Sequence, residues 1–218
     1  MSSGNRRISH LRIAADDGNM AKKEEGMDMK RLEERILADG EVLSGGILKV
    51  GKFLNQQMDP QLFYEMAQEW KRLYADAGVN KIFTIEASGI GIAAVAGLVF
   101  ECPVVFAKKG KSKNVSGDVY TTQVFSFTHG NTNTVLVSKA YLQPGDRVLI
   151  IDDFLANGAA LDGMIDLVRQ SGAELVGAGI AIEKAFQPGG ERIRASGVRV
   201  ESLAKIAEMG DDGSIRFA

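Results

Sequence analysis

The stretch "VLIIDDFLANGAA", residues 148–160, decides the reading of this chain. Four apolar residues, 148–151, run straight into Asp152 and Asp153. A short apolar run bounded by turn residues predicts a strand buried on both faces. Asn157 and Gly158 then form a turn, and the small residues Ala159 and Ala160 open a helix. Adjacent carboxylates raise each other's proton affinity, so the pair is unfavourable unless a cation or a sugar hydroxyl compensates it. Behind the acids, consecutive backbone N–H groups at a helix start suit a phosphate. Together these features describe a ribose-phosphate site, with the diol on the acids and the phosphate on the turn. The alternative is an exposed pair of aspartates capping the next helix.

Outward from this stretch, strands and helices alternate. "KIFTIE" (81–86) predicts a strand, "ASGIG" a tight turn, and the residues to about Phe100 a helix of small side chains. "PVVFA" (103–107) predicts another strand, followed by a polar, basic loop over 108–118. "VYTTQVFSF" and "NTVLVS" flank "THGN" as an antiparallel hairpin. "RVLIID" (147–152) is a strand, and the helix after it runs to about Ser171, closed by Gly172. "LVGAGIAIE", a short helix near 189–196, and "VRVESLA" complete the series.

Towards the N-terminus, a helix starts at Met29 with Asp28 as its cap. It carries Leu32, Ile36 and Leu37 on one face and stops at Gly40. Residues 41–60 give short strand-like pieces around a Gly-Gly turn. Asp59-Pro60 marks the start of an amphipathic helix bearing Leu62, Phe63, Met66, Trp70 and Leu73, with Gly78 closing it. The fold class is therefore α/β, a mostly parallel sheet flanked by helices on both faces. Ligands in such sheets bind beyond the carboxyl ends of the strands.

Composition narrows the possibilities. The chain has 218 residues, 45 % of them hydrophobic, enough for a substantial core without disulfides. A net charge of −2 gives no basic footprint for nucleic acid or a membrane surface. Cys102 is the only cysteine and reads as a small buried hydrophobe. No apolar run approaches the roughly 20 residues that span a bilayer. Residues 1–28 are polar, aperiodic and without a signal-peptide core, and are expected to be a disordered extension. The expectation is a cytoplasmic protein whose single domain occupies 29–218.

Two further loops fall at strand ends. In "EASGIG" (86–91), Ser88 and Gly89 precede a helix whose free N–H groups favour an anion. The same loop holds "GIGIAA" (89–94), which fits the dinucleotide fingerprint. The acidic residue that fingerprint expects about 20 positions later is absent, and the next strand ends in Lys108-Lys109. An NADP-binding oxidoreductase is therefore a rival reading. "GKS" at 110–112 is no P-loop, because Val105 stands where its first glycine belongs. Lys108, Lys109, Lys111 and Lys113 follow a strand directly, as an active-site lid with polyphosphate contacts would.

The opening stretch resembles the phosphoribosyl-pyrophosphate signature of the type I phosphoribosyltransferases: apolar residues, two acids, two apolar residues, then a small-residue turn. "LKVGKFLN", "TIEASGI" and "IEKAFQPGG" narrow the resemblance to the bacterial members that act on xanthine. It covers about 29–217.

The resemblance implies transfer of the phosphoribosyl group of 5-phosphoribosyl 1-pyrophosphate (PRPP) to xanthine, with Mg²⁺, in a cytoplasmic homodimer. It implies PRPP contacts at Ala156, Asn157, Gly158, Ala159, Ala160, Ser88 and Gly89. Asp152 and Asp153 would hold the ribose, with Lys109 at the reacting centre. Leu48, Asn55 and Lys184 would hold xanthine under a hood built from about 29–58. It assigns no residue as a certain metal ligand, and no nucleic-acid or membrane partner. A cis or strained peptide is expected in the 86–89 loop. Two departures stand out. Asn157 and Ala160 replace the usual threonines, and Ala156 stands where some 6-oxopurine relatives carry an aspartate. A non-catalytic sensor that keeps the ligand site is the remaining alternative.

Overall fold

The computed structural model describes residues 29–110, 117–126, 130–210 and 212–218. The predicted extension 1–28, its cap Asp28, and Lys111 and Lys113 of the basic loop lie outside them. Helix α1 (Lys30–Asp39) leads into a two-stranded hairpin, β1 (Glu41–Leu43) and β2 (Ile47–Lys49). Gly45 and Gly46 make its turn, both in the left-handed region that favours glycine. A π-helical turn, Gly51–Asn55, precedes α2 (Pro60–Leu73). Asp59 caps α2 as expected, its Oδ1 accepting from the Leu62 N–H at 3.1 Å.

The remaining strands are β3 (Lys81–Ile85), β4 (Val104–Lys109), β5 (Val119–Ser126), β6 (Asn131–Ser138), β7 (Arg147–Leu155), β8 (Glu174–Lys184), β9 (Val200–Met209) and β10 (Ile215–Phe217). They form one eight-stranded sheet in the order β10-β9-β8-β7-β3-β4-β6-β5. Its centre, β9-β8-β7-β3-β4, is parallel; the β5-β6 hairpin and β10 add antiparallel edges. Parallel neighbours require crossovers. Helices α3 (Gly89–Phe100), α4 (Ala159–Ser171) and α5 (Gly189–Ala195) supply three of them.

Apolar side chains fill both faces. On one, α1, α2, α3 and the π-turn cover Leu149, Ile151 and Ile182. On the other, α4 and α5 cover Val148, Ile150, Ala178 and Ile180. The α2 helix and the residue that ends it approach β8 closely through Trp70 and Tyr74, both essentially inaccessible. Glycine in β8 permits this: a Cβ at Gly179 would lie 2.8 Å from Trp70 Nε1. Trp70 donates to the Glu201 carbonyl at 3.3 Å and Tyr74 to the Ala178 carbonyl at 3.0 Å, so neither polar atom is stranded.

Several boundaries differ from expectation. Helix α2 ends at Leu73; a 3₁₀ turn, Ala75–Ala77, intervenes before left-handed Gly78. Leu37 is 58 % exposed and does not share the buried face of Leu32 and Ile36. Strand β4 takes up Lys108 and Lys109, the first two residues of the expected loop. Cys102 is half-buried rather than buried.

Candidate active site

The loops that follow β3 and β7 and the last residues of β4 and β8, Lys109 and Lys184, lie at the same end of the parallel strands. At the end of β7, Asp152 is only 5 % exposed, and Asp153 beside it is half-buried. Exposed aspartates are therefore excluded. Burial pushes the Asp152 carboxyl well above the ordinary range, and the charge of Asp153 adds to that rise. Lys109 opposes it, so Lys109 belongs to the site electrostatically. Burial also raises Asp153, against hydrogen bonds from Asp152 and Asn55. A buried acid pair with perturbed proton affinity at a strand end marks a functional site.

Lys108 does not join Lys109. Successive strand residues face opposite ways, and the Lys108 ammonium lies 5.9 Å from the Phe106 ring centroid, beside a separate cleft of about 730 Å³. Of the basic run 108–113, the structure places Lys108 by Phe106 and brings the charge of Lys109 to bear on Asp152.

The β3–α3 loop carries a cis peptide at Glu86–Ala87. Glu86 Oε1 accepts from the Lys109 N–H at 2.5 Å, joining this loop to the end of β4. Ser88 precedes α3, and Gly89 begins it against the acid pair: a Cβ there would lie 2.2 Å from Thr84 Oγ1 and 3.1 Å from Asp152 Oδ1. A Cβ at Gly91 would meet Met58 and Phe63. Helix packing therefore accounts for both glycines of "GIGIAA" without a dinucleotide.

Ala156, Asn157 and Gly158 turn the chain from β7 into α4, which Ala159 and Ala160 open. Gly158 has φ +89°. The Asn157 carboxamide oxygen accepts from the Ala159 N–H at 3.0 Å. It thus closes the turn from the position where the resembling family usually carries a threonine. Arg192 of α5 holds the turn from behind, donating to the Asn157 carbonyl at 3.2 Å and to both Asp162 oxygens at 3.0 and 2.5 Å. Arg192 and Asp162 escaped the sequence reading; only the "PGG" ahead of Arg192 hinted at a helix start here.

The hood residues split into two groups. Leu48 on β2 is buried, and with Asn55 on the π-turn it lines a cleft of about 670 Å³. Asn55 also bonds Asp153, tying the hood to the acid pair. Lys184 does not line that cleft. It reaches the hood by donating to the Gly46 carbonyl at 2.7 Å, and sits 5.8 Å from the Phe154 ring. Burial lowers its proton affinity. Among the described residues no three His, Cys, Asp or Glu side chains cluster to hold a metal, and no helix is long and apolar enough to cross a membrane.

Comparison with known proteins agrees with this geometry. Residues 61–206 match the phosphoribosyl transferase domain family. The xanthine phosphoribosyltransferase of Lachnoclostridium phytofermentans is 55 % identical over 190 residues, covering 87 % of this chain and 98 % of that protein. That of Finegoldia magna is 53 % identical over 187 residues, covering 86 % and 98 %. Among solved structures, the adenine phosphoribosyltransferase of Giardia lamblia with 9-deazaadenine superposes with a TM-score of 0.70 at 20 % identity, covering 82 % of this chain and 98 % of that one. The adenine phosphoribosyltransferase of Rhodothermus marinus gives 0.67 at 20 % identity, over 82 % and 98 %. At that identity the likeness is one of fold. The chain belongs to the phosphoribosyltransferase family, among its xanthine phosphoribosyltransferases.

Proposed function

We propose that the chain transfers the 5-phosphoribosyl group of PRPP to xanthine, giving xanthosine 5′-monophosphate and pyrophosphate in purine salvage. The observation that carries this is the placement of the acid pair, the phosphate turn and Lys184 at the same end of the parallel strands. In this reading the 5′-phosphate sits on Ala156, Asn157, Gly158, Ala159 and Ala160. Asp152 and Asp153 accept from the ribose hydroxyls and stabilise positive charge on the ribose as the bond to pyrophosphate breaks. Lys109 and the N-terminal N–H groups of α3 at Ser88 and Gly89 take up the negative charge that passes to pyrophosphate.

Xanthine lies between Leu48, Asn55 and Lys184. The Lys184 ammonium only donates, which suits an exocyclic oxygen and not an amino group. The ring nitrogen of xanthine forms the new bond to the ribose as the bond to pyrophosphate breaks, and its proton passes to solvent. With Ala156 in place of an aspartate, the acidity of xanthine serves instead of a protein base. The hard carboxylate oxygens of Asp152 and Asp153 are chemically suited to Mg²⁺ and would hold it together with PRPP, where it would supply screening of the pyrophosphate charge. A homodimer, a cytoplasmic location and a single domain over 29–218 with its hood in 29–58 complete the reading.

The test is turnover of each purine base with PRPP and Mg²⁺. Xanthine should form nucleotide rapidly and adenine barely; no nucleotide from any base, with PRPP still bound, would leave a sensor and sink the enzyme. A second expectation concerns Gly158. Its φ of +89° is strained for alanine, and a Cβ would lie 2.8 Å from Arg192 Nη2 and 2.9 Å from Ile193 Cδ1. Gly158→Ala should raise KM for PRPP about tenfold, from a strain of roughly 1–3 kcal/mol. Steady-state kinetics with xanthine saturating will show it.

A further inference from the structure

Glu183 is a buried acid that the transfer step does not use. Its side chain is 4 % exposed, next to Lys184 at the site end of β8. Arg194 of α5 grips it with two bonds, Nη1 to Oε1 at 2.7 Å and Nη2 to Oε2 at 2.6 Å. The Ser202 hydroxyl of β9 donates to Oε2 as well. Burial works against the charge on Glu183, but bonds from Arg194 and Ser202, with the charges of Arg194 and Lys205, hold it below the ordinary carboxylate range.

The same short helix touches the phosphate turn. The Gly189 N–H donates to the Ala156 carbonyl at 3.1 Å, and Arg192 donates to the Asn157 carbonyl. Two consecutive glycines allow both approaches. A Cβ at Gly189 would lie 2.3 Å from the Ala156 carbonyl oxygen, and one at Gly190 would lie 2.0 Å from Glu183 Oε1. Thus α5 is pressed against the turn at Gly189 and against the buried acid at Gly190. Stability alone does not account for the pair, since well-packed apolar residues commonly replace a buried ion pair at little or no loss. What apolar residues do not reproduce is the fixed, two-bond orientation of an Arg–carboxylate fork.

We propose that Glu183 and Arg194 form a positioning unit that sets α5, and through it the phosphate turn, relative to the xanthine-contacting end of β8. Neither residue touches substrate. Gly189 and Arg192 hold the Ala156 and Asn157 carbonyls away from the ligand, which leaves the N–H side of the turn presented to it. The inference rests on the assignment of residues 156–160 to the 5′-phosphate.

The test is the double variant Glu183→Met with Arg194→Met, which keeps bulk and removes the fork. Calorimetric binding of PRPP with Mg²⁺ should weaken about tenfold, the effect of roughly 1.4 kcal/mol of lost orientation, while KM for xanthine moves far less and the thermal midpoint stays within a few degrees. Unchanged PRPP affinity, or equal loss for both substrates, would overturn the proposal. Should the double variant fail to fold, Ser202→Ala removes one bond to Glu183 and should weaken PRPP about two- to fivefold; no change there overturns it too. Ala160→Glu separates this from the underlying assignment. It places an acid in the phosphate turn and should abolish PRPP binding. Normal PRPP binding by Ala160→Glu would refute the assignment itself, and the inference with it.

Discussion

Asp152→Asn will lower turnover by about two to three orders of magnitude and raise the thermal midpoint at neutral pH. Both effects have one origin. Asp152 is buried at the end of β7, with Asp153 beside it and Lys109 as the cation that opposes its raised proton affinity. Its ionised form is therefore unfavourable in the folded chain, and in the proposed reaction that charge would meet the positive charge developing on the ribose. Asparagine keeps the shape and the carboxamide oxygen can still accept from the Asp153 N–H, a bond of 3.0 Å in the native chain.

The sign follows from the direction of the shift. An aspartate whose folded proton affinity is raised above the reference value of 3.8 loses stability as pH rises from that value through the raised one. Above that window the wild type carries the full penalty and the variant none. A relief of about 1 kcal/mol moves the midpoint of a chain this size by about 2–4 °C. Below about pH 3.8 the two proteins should converge. Kinetics at pH 7 and melting curves at two pH values suffice. A variant that melts earlier at pH 7, or that keeps its turnover, contradicts the electrostatic account.

Residues 148–160 were legible because each feature there is local. The apolar run, the turn and the small helix start are neighbours in sequence, and α4 ends at Ser171 before Gly172 as expected. What was not legible depends on partners distant in sequence. Strand β7 runs on past the acids to Leu155 because β8 continues to pair with it, Asp152 opposite Ile180 and Leu155 opposite Glu183. No pattern within 147–155 announces that. Lys108 and Lys109 look equivalent in a basic run, and only the pleat of β4, paired with β6 at both positions, sends them to opposite faces. The Arg192–Asp162 and Arg194–Glu183 pairs join elements that sequence alone does not bring together. The short π-turn holding Asn55 has no periodicity to read.

Lys184→Gln will cut kcat/KM for xanthine about a hundredfold, the loss expected for a charge-assisted hydrogen bond of roughly 1.5–3 kcal/mol. It will also narrow the preference over adenine. The lysine is held in place by the Gly46 carbonyl and lies near the Phe154 ring, so its ammonium is directed rather than free. An ammonium offers donors only; glutamine offers both donors and an acceptor, and can meet an exocyclic amino group as readily as an oxygen. Discrimination that rests on leaving a polar group unpaired is lost once the site can pair either way.

A pH signature accompanies the change. Burial lowers the proton affinity of Lys184 below the reference value of 10.5, so the donor is lost at lower pH than for an exposed lysine. The wild-type alkaline limb of kcat/KM for xanthine should therefore begin below the ordinary lysine range. The glutamine variant lacks a titrating donor and should lose that part of the limb, keeping only the part set by ionisation of xanthine itself. If the variant retains both the wild-type preference and the same alkaline limb, then Lys184 serves only to hold the hood through Gly46, and base selection must lie with Leu48 and Asn55.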